Sequence, residues 1–473
     1  MQTTAHAFVE HSRAALADEQ LRRALLNMKP GFQDRRAQSV ARLPEWEDLR
    51  DQARALKDHT LAHMDVYLER FEARVLESGG HVHWARTAEE ACAAVHGICQ
   101  AVGAHTVTKG KSMVAEEIGL NPYLEARGLV PVETDLGEYI IQLRHEPPSH
   151  IIAPALHLNK EQIADDFHRA HTQFAAERSL AEPRALCDEA RLVLRQKFLA
   201  ADVGITGANF LIAETGSTVI VTNEGNGDLT QTLPRVHVVV TSIDKVVPTL
   251  EDATLILRLL ARSATGQEQS AYTTFSTGPK RPGDLDGPEA FHVVIVDNGR
   301  SAILGTEVQD VLRCIRCGAC INHCPIYAAV GGHAYGWVVP GPIGAALDPA
   351  MIGLAEAHHL PNASTFCGRC ESVCPMKIPL PRIMRHWRDR EFEAGLSPAA
   401  QRRGLRLWAW AVRRPRLYRL GAGVAAATLR LLGRRRGRLT RLPLAGGWTD
   451  WRDLPAPEGE TFHRRYARHK RAA

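Results

Sequence analysis

The sequence predicts an α/β domain with a mainly parallel sheet, followed by a helical cysteine-rich domain and a basic helical tail. Three observations carry this. Strand-like and helix-like segments alternate from about 80 to 300, the pattern of strands joined by crossover helices. Seven of the ten cysteines fall between positions 314 and 374. Thirteen arginines and no acidic residue lie between Gln401 and Leu442. The expected division is a helical segment at 1–75, the α/β domain at 76–300, the cysteine domain at 301–395 and the basic C-terminal region at 396–473.

Taken in order, Phe8, Ala15 and Leu21, then Leu61, Met64, Leu68 and Phe71, recur at helical spacing. Leu43-Pro44 breaks the pattern, and Glu45-Trp46-Glu47-Asp48 opens the next helix with acids in its first turn. Ser78-Gly79-Gly80 closes it. His81–Trp84, His105–Lys109, Val130–Thr134, His150–Pro154, Thr218–Thr222, Val236–Ser242 and Phe291–Asp297 read as strands, with a helix from Ala88 to Val102. In such sheets ligands sit at the carboxyl ends of the strands. The stretch from His333 to Gly344 is rich in glycine and proline and suits a covering loop, and a helix follows over Arg382 to Glu393. The tail is interrupted at Pro415 and Gly433, and the residues from Asp450 are expected to be poorly ordered.

At 473 residues the chain is too long for one ordinary core. Its net charge of +5 belongs to the tail, because without those thirteen arginines the remainder carries −8. Outside the motifs stand Cys92, Cys99 and Cys187, an odd number read as small buried apolar residues. With no secretory signal, they fit a reducing compartment. No stretch approaches the roughly 20 apolar residues of a membrane span. The expected location is the cytoplasm, or the cytoplasmic face of a membrane.

The cysteines carry the chemistry. Cys314-Ile-Arg-Cys317-Gly-Ala-Cys320-Ile-Asn-His-Cys324-Pro325 has the spacing of bacterial ferredoxins, and Cys367-Gly-Arg-Cys370-Glu-Ser-Val-Cys374-Pro375 nearly repeats it. In that motif the fourth cysteine of each run ligates the other cluster. Cys314, Cys317, Cys320 and Cys374 are thus expected to hold a first [4Fe–4S] cluster, and Cys324, Cys367 and Cys370 a second. Zinc would need neither the third closely spaced cysteine nor the Cys-Pro ending. Ser364 stands where the second run would begin. The second cluster is therefore [3Fe–4S], or a [4Fe–4S] completed by an oxygen from Ser364, water or another group, the full cubane being favoured. Such clusters exchange single electrons. Arg313, Arg316, Arg369, His323 and Lys377 flank the ligands as tuning groups or as solvated surface.

Two further segments are candidates. Lys109, Lys111 and Ser112 lie between a strand and a helix and suit either an anion site or a plain connection. Gly207, Glu214, Gly216, Asn223, Glu224 and Asp228 read as a tight turn in preference to a pocket. No Walker, Rossmann or nucleophile-elbow pattern is present, so hydride chemistry is assigned to a partner and no catalytic residue to this chain. In the tail, Leu405, Trp408 and Val412, then Leu420, Val424, Ala427 and Leu431, line one helical face among arginines. That face suits an acidic partner or an anionic membrane surface; nucleic acid lacks its stacking aromatics.

Lys109-Gly-Lys111-Ser-Met-Val-Ala-Glu116-Glu117-Ile-Gly-Leu-Asn121, Glu214-Thr215-Gly216-Ser217 with Asn223 to Asp228, the Tyr335–Gly344 stretch and the cysteine runs together resemble the lactate utilization protein B family of bacteria. The resemblance covers nearly the whole chain. It implies an α/β domain related to the sugar-isomerase and CoA-transferase fold, then an α-helical ferredoxin domain. It also implies an electron-transfer subunit of a complex oxidising L-lactate to pyruvate, with other subunits of that complex as partners. The alternative is a stand-alone or complexed Fe–S oxidoreductase for another small 2-hydroxy acid, such as glycolate.

Overall fold

Six strands, β1 (His81–Ala85), β2 (Thr106–Lys109), β3 (Val130–Glu133), β4 (Val203–Thr206), β7 (Val236–Ser242) and β10 (Ala290–Val296), form the main sheet in the computed structural model. Their order is β1-β10-β7-β4-β2-β3, and every neighbouring pair is parallel. β7 is buried along its whole length, as a central strand covered on both faces must be, whereas edge strand β1 carries histidines and stays partly exposed. A second sheet, ordered β8-β5-β6-β9, contains β5 (Phe210–Ile212), β6 (Ser217–Thr222), β8 (Val246–Val247) and β9 (Tyr272–Ser276). Here β6 runs antiparallel to both neighbours.

Residues 2–443, 446–449 and 452–472 are described, in two compact units, 1–390 and 391–473. In the first unit the helices Trp46–Ala62 and Met64–Glu77 bury Leu49, Ala53, Leu61, Leu68 and Phe71. The pattern read through Leu61 and Met64 is divided at His63, where the backbone leaves helical geometry. These side chains share one apolar core with Phe210, Leu211, Phe291 and the cysteine domain. A separate core under the other face of the main sheet joins Val95, Ile98 and Cys99 to Val107, Ile205, Val238 and Val294.

Several expectations differ from the structure. His150–Pro154 is a turn, because the His150 ring nitrogen accepts from the backbone of Ile152 and Ala153 and bends the chain. Thr218–Thr222 belongs to the second sheet. The stretch read as a covering loop over His333 to Gly344 is packed into the core, with Tyr335, Trp337, Val338 and Val339 all buried, and its end is helical, opening a buried helix at Gly341–Met351. Cys187 is exposed, whereas Cys92 and Cys99 are buried.

The second unit contains helices at Ala399–Val412 and Pro415–Gly433, and an antiparallel pair, β11 (Arg438–Leu439) with β12 (Leu454–Pro455). Asp450 and Trp451 lie outside the described residues, but Phe462–Ala472 forms a helix. Leu405, Trp408, Leu420, Val424 and Leu431 are exposed. No described helix is long and apolar enough to cross a membrane.

Candidate metal centres and an adjoining cavity

Each cysteine run begins as a loop that doubles back on itself. A 3-10 turn at Gln309–Arg313 delivers Cys314. Arg316 and Gly318 then adopt φ values of +57° and +71° before the short helix Ala319–Asn322. The second run has the same shape, with Phe366 at +54°, Gly368 at +76° and the helix Arg369–Val373. Left-handed residues ahead of a helical turn bring sulfurs three positions apart to one side of the loop.

Two small cavities result. Cys314, Cys317, Cys320 and Cys374 line one, with Ile151, Ile343 and other apolar side chains between them. Cys324, Cys367 and Cys370 line the other, together with Ser364 and Thr365. Ser364 Oγ accepts the Phe366 N–H at 3.1 Å, so the hydroxyl is held at the cavity by its own loop. Neither lining contains a carboxylate.

Burial pushes the Cys374 thiol up to about 11 and, with Cys324 beside it, Cys370 up to about 12. Cys317 and Cys320 are raised further by burial and by their sulfur neighbours. Cys367 alone is lowered, chiefly by the Arg369 N–H. Several ionised thiols held so close and so dry need compensating cationic charge. A sulfur-only donor set in an apolar wall at the first cavity, and three sulfurs beside the Ser364 and Thr365 hydroxyls at the second, therefore fit iron–sulfur clusters. Backbone N–H groups of Arg316, Tyr327 and Ile378 approach the sulfurs of Cys314, Cys324 and Cys374 at 3.4, 3.5 and 3.5 Å.

The flanking charges differ in role. Arg313 is buried in ion pairs with Asp58 and with Asp310, the latter at 2.6 Å. Lys377 pairs with Asp51 at 2.5 Å. His323 is buried and its Nδ1 donates to Ala319 O at 2.8 Å. Arg369 is exposed at the rim of the second cavity. Arg36 and Arg50, which sequence reasoning does not single out, hold the second run from the N-terminal helices. Arg36 Nη2 donates to Val373 O at 2.9 Å, and Arg50 donates to Ser372 O and Cys374 O. An arginine at a helix surface carries no sign in sequence that it meets a carbonyl more than 300 positions away.

A third, larger cavity of about 250 Å³ opens where β2 and β4 end. It joins Lys111 and Ser112 to Gly207, Asn223 and Glu224, uniting parts of both further sequence candidates, and its far wall is Ile315 and Arg316 of the first cysteine loop. Lys109 is not part of it; its ammonium is buried between Glu116 and Glu133, each at 2.7 Å. Glu214 instead accepts from Leu250 N at 3.2 Å, and Gly216 turns the chain at φ +69°. Asp228 bonds Thr274 and Gln231.

A helical domain with two adjacent cysteine-lined cavities, behind a parallel α/β sheet, defines a dicluster iron–sulfur protein. Sequence comparison agrees: a LUD domain matches residues 68–296, a 4Fe-4S dicluster domain residues 310–378, and the lactate utilisation protein B C-terminal family residues 391–471. Lactate utilization protein B of Bacillus licheniformis is 44% identical over 96% of this chain and 95% of its own length. That of Geobacillus thermodenitrificans is 45% identical over 94% of each. The Escherichia coli protein named electron transport protein YkgF is 41% identical over 98% of this chain and 97% of its own. The chain belongs to the lactate utilization protein B family.

Proposed function

We propose that this chain carries electrons in lactate utilisation as the iron–sulfur subunit of an L-lactate-oxidising assembly. The observation that carries this reading is the pair of adjoining cavities lined by four and by three cysteine sulfurs. Cys314, Cys317, Cys320 and Cys374 would hold one [4Fe–4S] cluster; Cys324, Cys367 and Cys370 would hold the second, with an oxygen from Ser364 or water at its open position. The clusters supply one-electron exchange. The chain's own residues fix the sulfurs, exclude water from the first cavity with Ile151 and Ile343, and direct N–H groups at the sulfurs. Such bonds favour the more negatively charged state.

The α/β domain at 76–300, preceded by the N-terminal helical segment at 1–75, forms the lactate-utilisation module, whose fold is that of the sugar-isomerase and CoA-transferase class. The division at 75, 300 and 395 follows the change of texture along the chain. The exposed apolar face of Ala399–Val412 and Pro415–Gly433, ringed by arginines, is the docking surface for an acidic partner subunit on the cytoplasmic side of the membrane.

The test is EPR of the anaerobically purified chain, as isolated and after dithionite, with iron and sulfide counted. Two interacting reduced signals with iron for two clusters are expected. Zinc in place of iron would sink the reading. Failure of the isolated chain to reduce its clusters with L-lactate, and success once the partner subunits are added, would separate a carrier from a stand-alone dehydrogenase.

A further inference from the structure

The geometry points to the cavity at the ends of β2 and β4 as a binding site for a small monoanionic organic acid, seated against the first cysteine loop. At about 250 Å³ it falls just below the range of drug-sized pockets, roughly 300–1,000 Å³, and suits a metabolite of a few carbons. Carboxyl ends of parallel strands are also where ligands of open α/β sheets sit.

Three cationic side chains line it: Lys111, Lys245 and Arg316. Lys111 Nζ spends one donor on Ile152 O at 2.8 Å, leaving two. Lys245 is buried, and its Nζ lies 3.9 Å from Asp244, too far for a hydrogen bond. Arg316 Nη1 is buried with no hydrogen-bond partner among the described residues. A buried guanidinium N–H without an acceptor is costly, and an entering carboxylate would supply one.

Two acids oppose them, Asp135 and Glu224. Both are partly engaged with backbone, Asp135 Oδ1 with Glu138 N at 3.1 Å and Glu224 Oε2 with Leu136 N at 3.4 Å. Among the lining side chains three are cationic and two acidic. Asp244, beside Lys245 and paired with Arg300, and the buried Glu117 and Asp348 near Arg316 offset part of that charge from behind the wall. A singly charged carboxylate therefore suits the site better than a phosphate dianion. Glu224 is placed to receive a hydroxyl of the same molecule, and Ile151, Ile152 and Val221 offer it an apolar wall. Arg316 stands between Cys314 and Cys317, so an acid bound to it changes the charge beside the first cysteine cavity. The inference rests on this cavity and not on the electron-transfer reading.

The test is calorimetric titration of the full-length, anaerobically purified chain with L-lactate, pyruvate, acetate and inorganic phosphate, iron being counted first. Saturable binding of one carboxylate per chain is expected, weakened at least tenfold in Lys111→Ala and in Arg316→Gln. The bound acid should also shift the EPR signal of one reduced cluster and leave the other in place. No saturable binding of any carboxylate, or binding of phosphate alone, overturns the proposal. Should Arg316→Gln lose iron, Lys111→Ala, outside the cysteine runs, decides: unaltered affinity there overturns it. The iron count reports on the electron-transfer reading separately.

Discussion

Arg50 donates from Nε at 3.1 Å and from Nη2 at 2.7 Å to the carbonyl oxygen of Cys374, 324 positions further along the chain. Its Nη2 also reaches Ser372 O, and its Nη1 is held by Glu47 at 2.7 Å. Replacing it with methionine leaves two inward-facing carbonyl oxygens without this donor, at a cost of about 2–3 kcal/mol. Arg50→Met is expected to lower the thermal midpoint and to release iron to a chelator faster than the parent chain. Arg50→Lys, which cannot bond in two directions in one plane, should fall between them.

The cysteine cavities make selective predictions. Cys317→Ala should remove one reduced EPR signal and Cys370→Ala the other, each leaving its neighbour, as their separate cavities require. Ser364→Cys places a fourth sulfur at the second cavity. That variant is expected to retain more iron than the parent after timed exposure to air; equal retention would mean that position 364 is not the open corner.

What could be read in the sequence follows the range of the interactions. β7 and β10 are runs of β-branched residues, and the cysteine motifs declare their chemistry by spacing alone. β4 and β5 are short, and Gly204 in β4 is kept free of a side chain by Thr230 O, which a Cβ there would meet at 1.8 Å. That constraint exists only once the helix Asn226–Thr232 has packed on the strand. The union of Lys111 with Glu224 and Arg316 in one cavity likewise depends on strand order, which periodicity does not carry.

His237 lies in the middle of the main sheet, fully buried, with its Nε2 2.8 Å from Thr206 Oγ1. Burial holds its pKa down at about 3, from an ordinary value of 6.5. The folded state therefore binds fewer protons than the unfolded chain between those values. The stability from keeping His237 neutral is fully present above pH 6.5 and falls by up to about 1.4 kcal/mol per pH unit as pH drops towards 3. His237→Leu should flatten that slope in urea unfolding midpoints measured from pH 7 to 4. An unchanged slope would place the acid sensitivity in other groups.

Two glycines invite opposite outcomes. A Cβ on Gly332 would lie 1.6 Å from the carbonyl oxygen of Ser149, backbone against backbone. Gly332→Ala is expected to cost more than about 3 kcal/mol, by analogy with severe overpacking. Gly97, inside the helix Ala88–Ala101, has nothing within 4 Å of that position, and Gly97→Ala should stabilise by about 0.5–1 kcal/mol. Urea unfolding of the two variants checks both signs.

The four-sulfur cavity draws on both ends of the first unit: three sulfurs from 314–320, a fourth at 374, and a clasp from Arg36 and Arg50, 337 and 324 positions ahead of the carbonyls they hold. A ribosome that has released Cys320 has therefore produced a half-built basket, open on the side that Cys374 will close. Glu47 and Trp46, close by in sequence, hold Arg50 and Arg36, but the carbonyls that the two arginines clasp are translated hundreds of codons after them. The full four-sulfur set therefore exists only after Cys374 has been made.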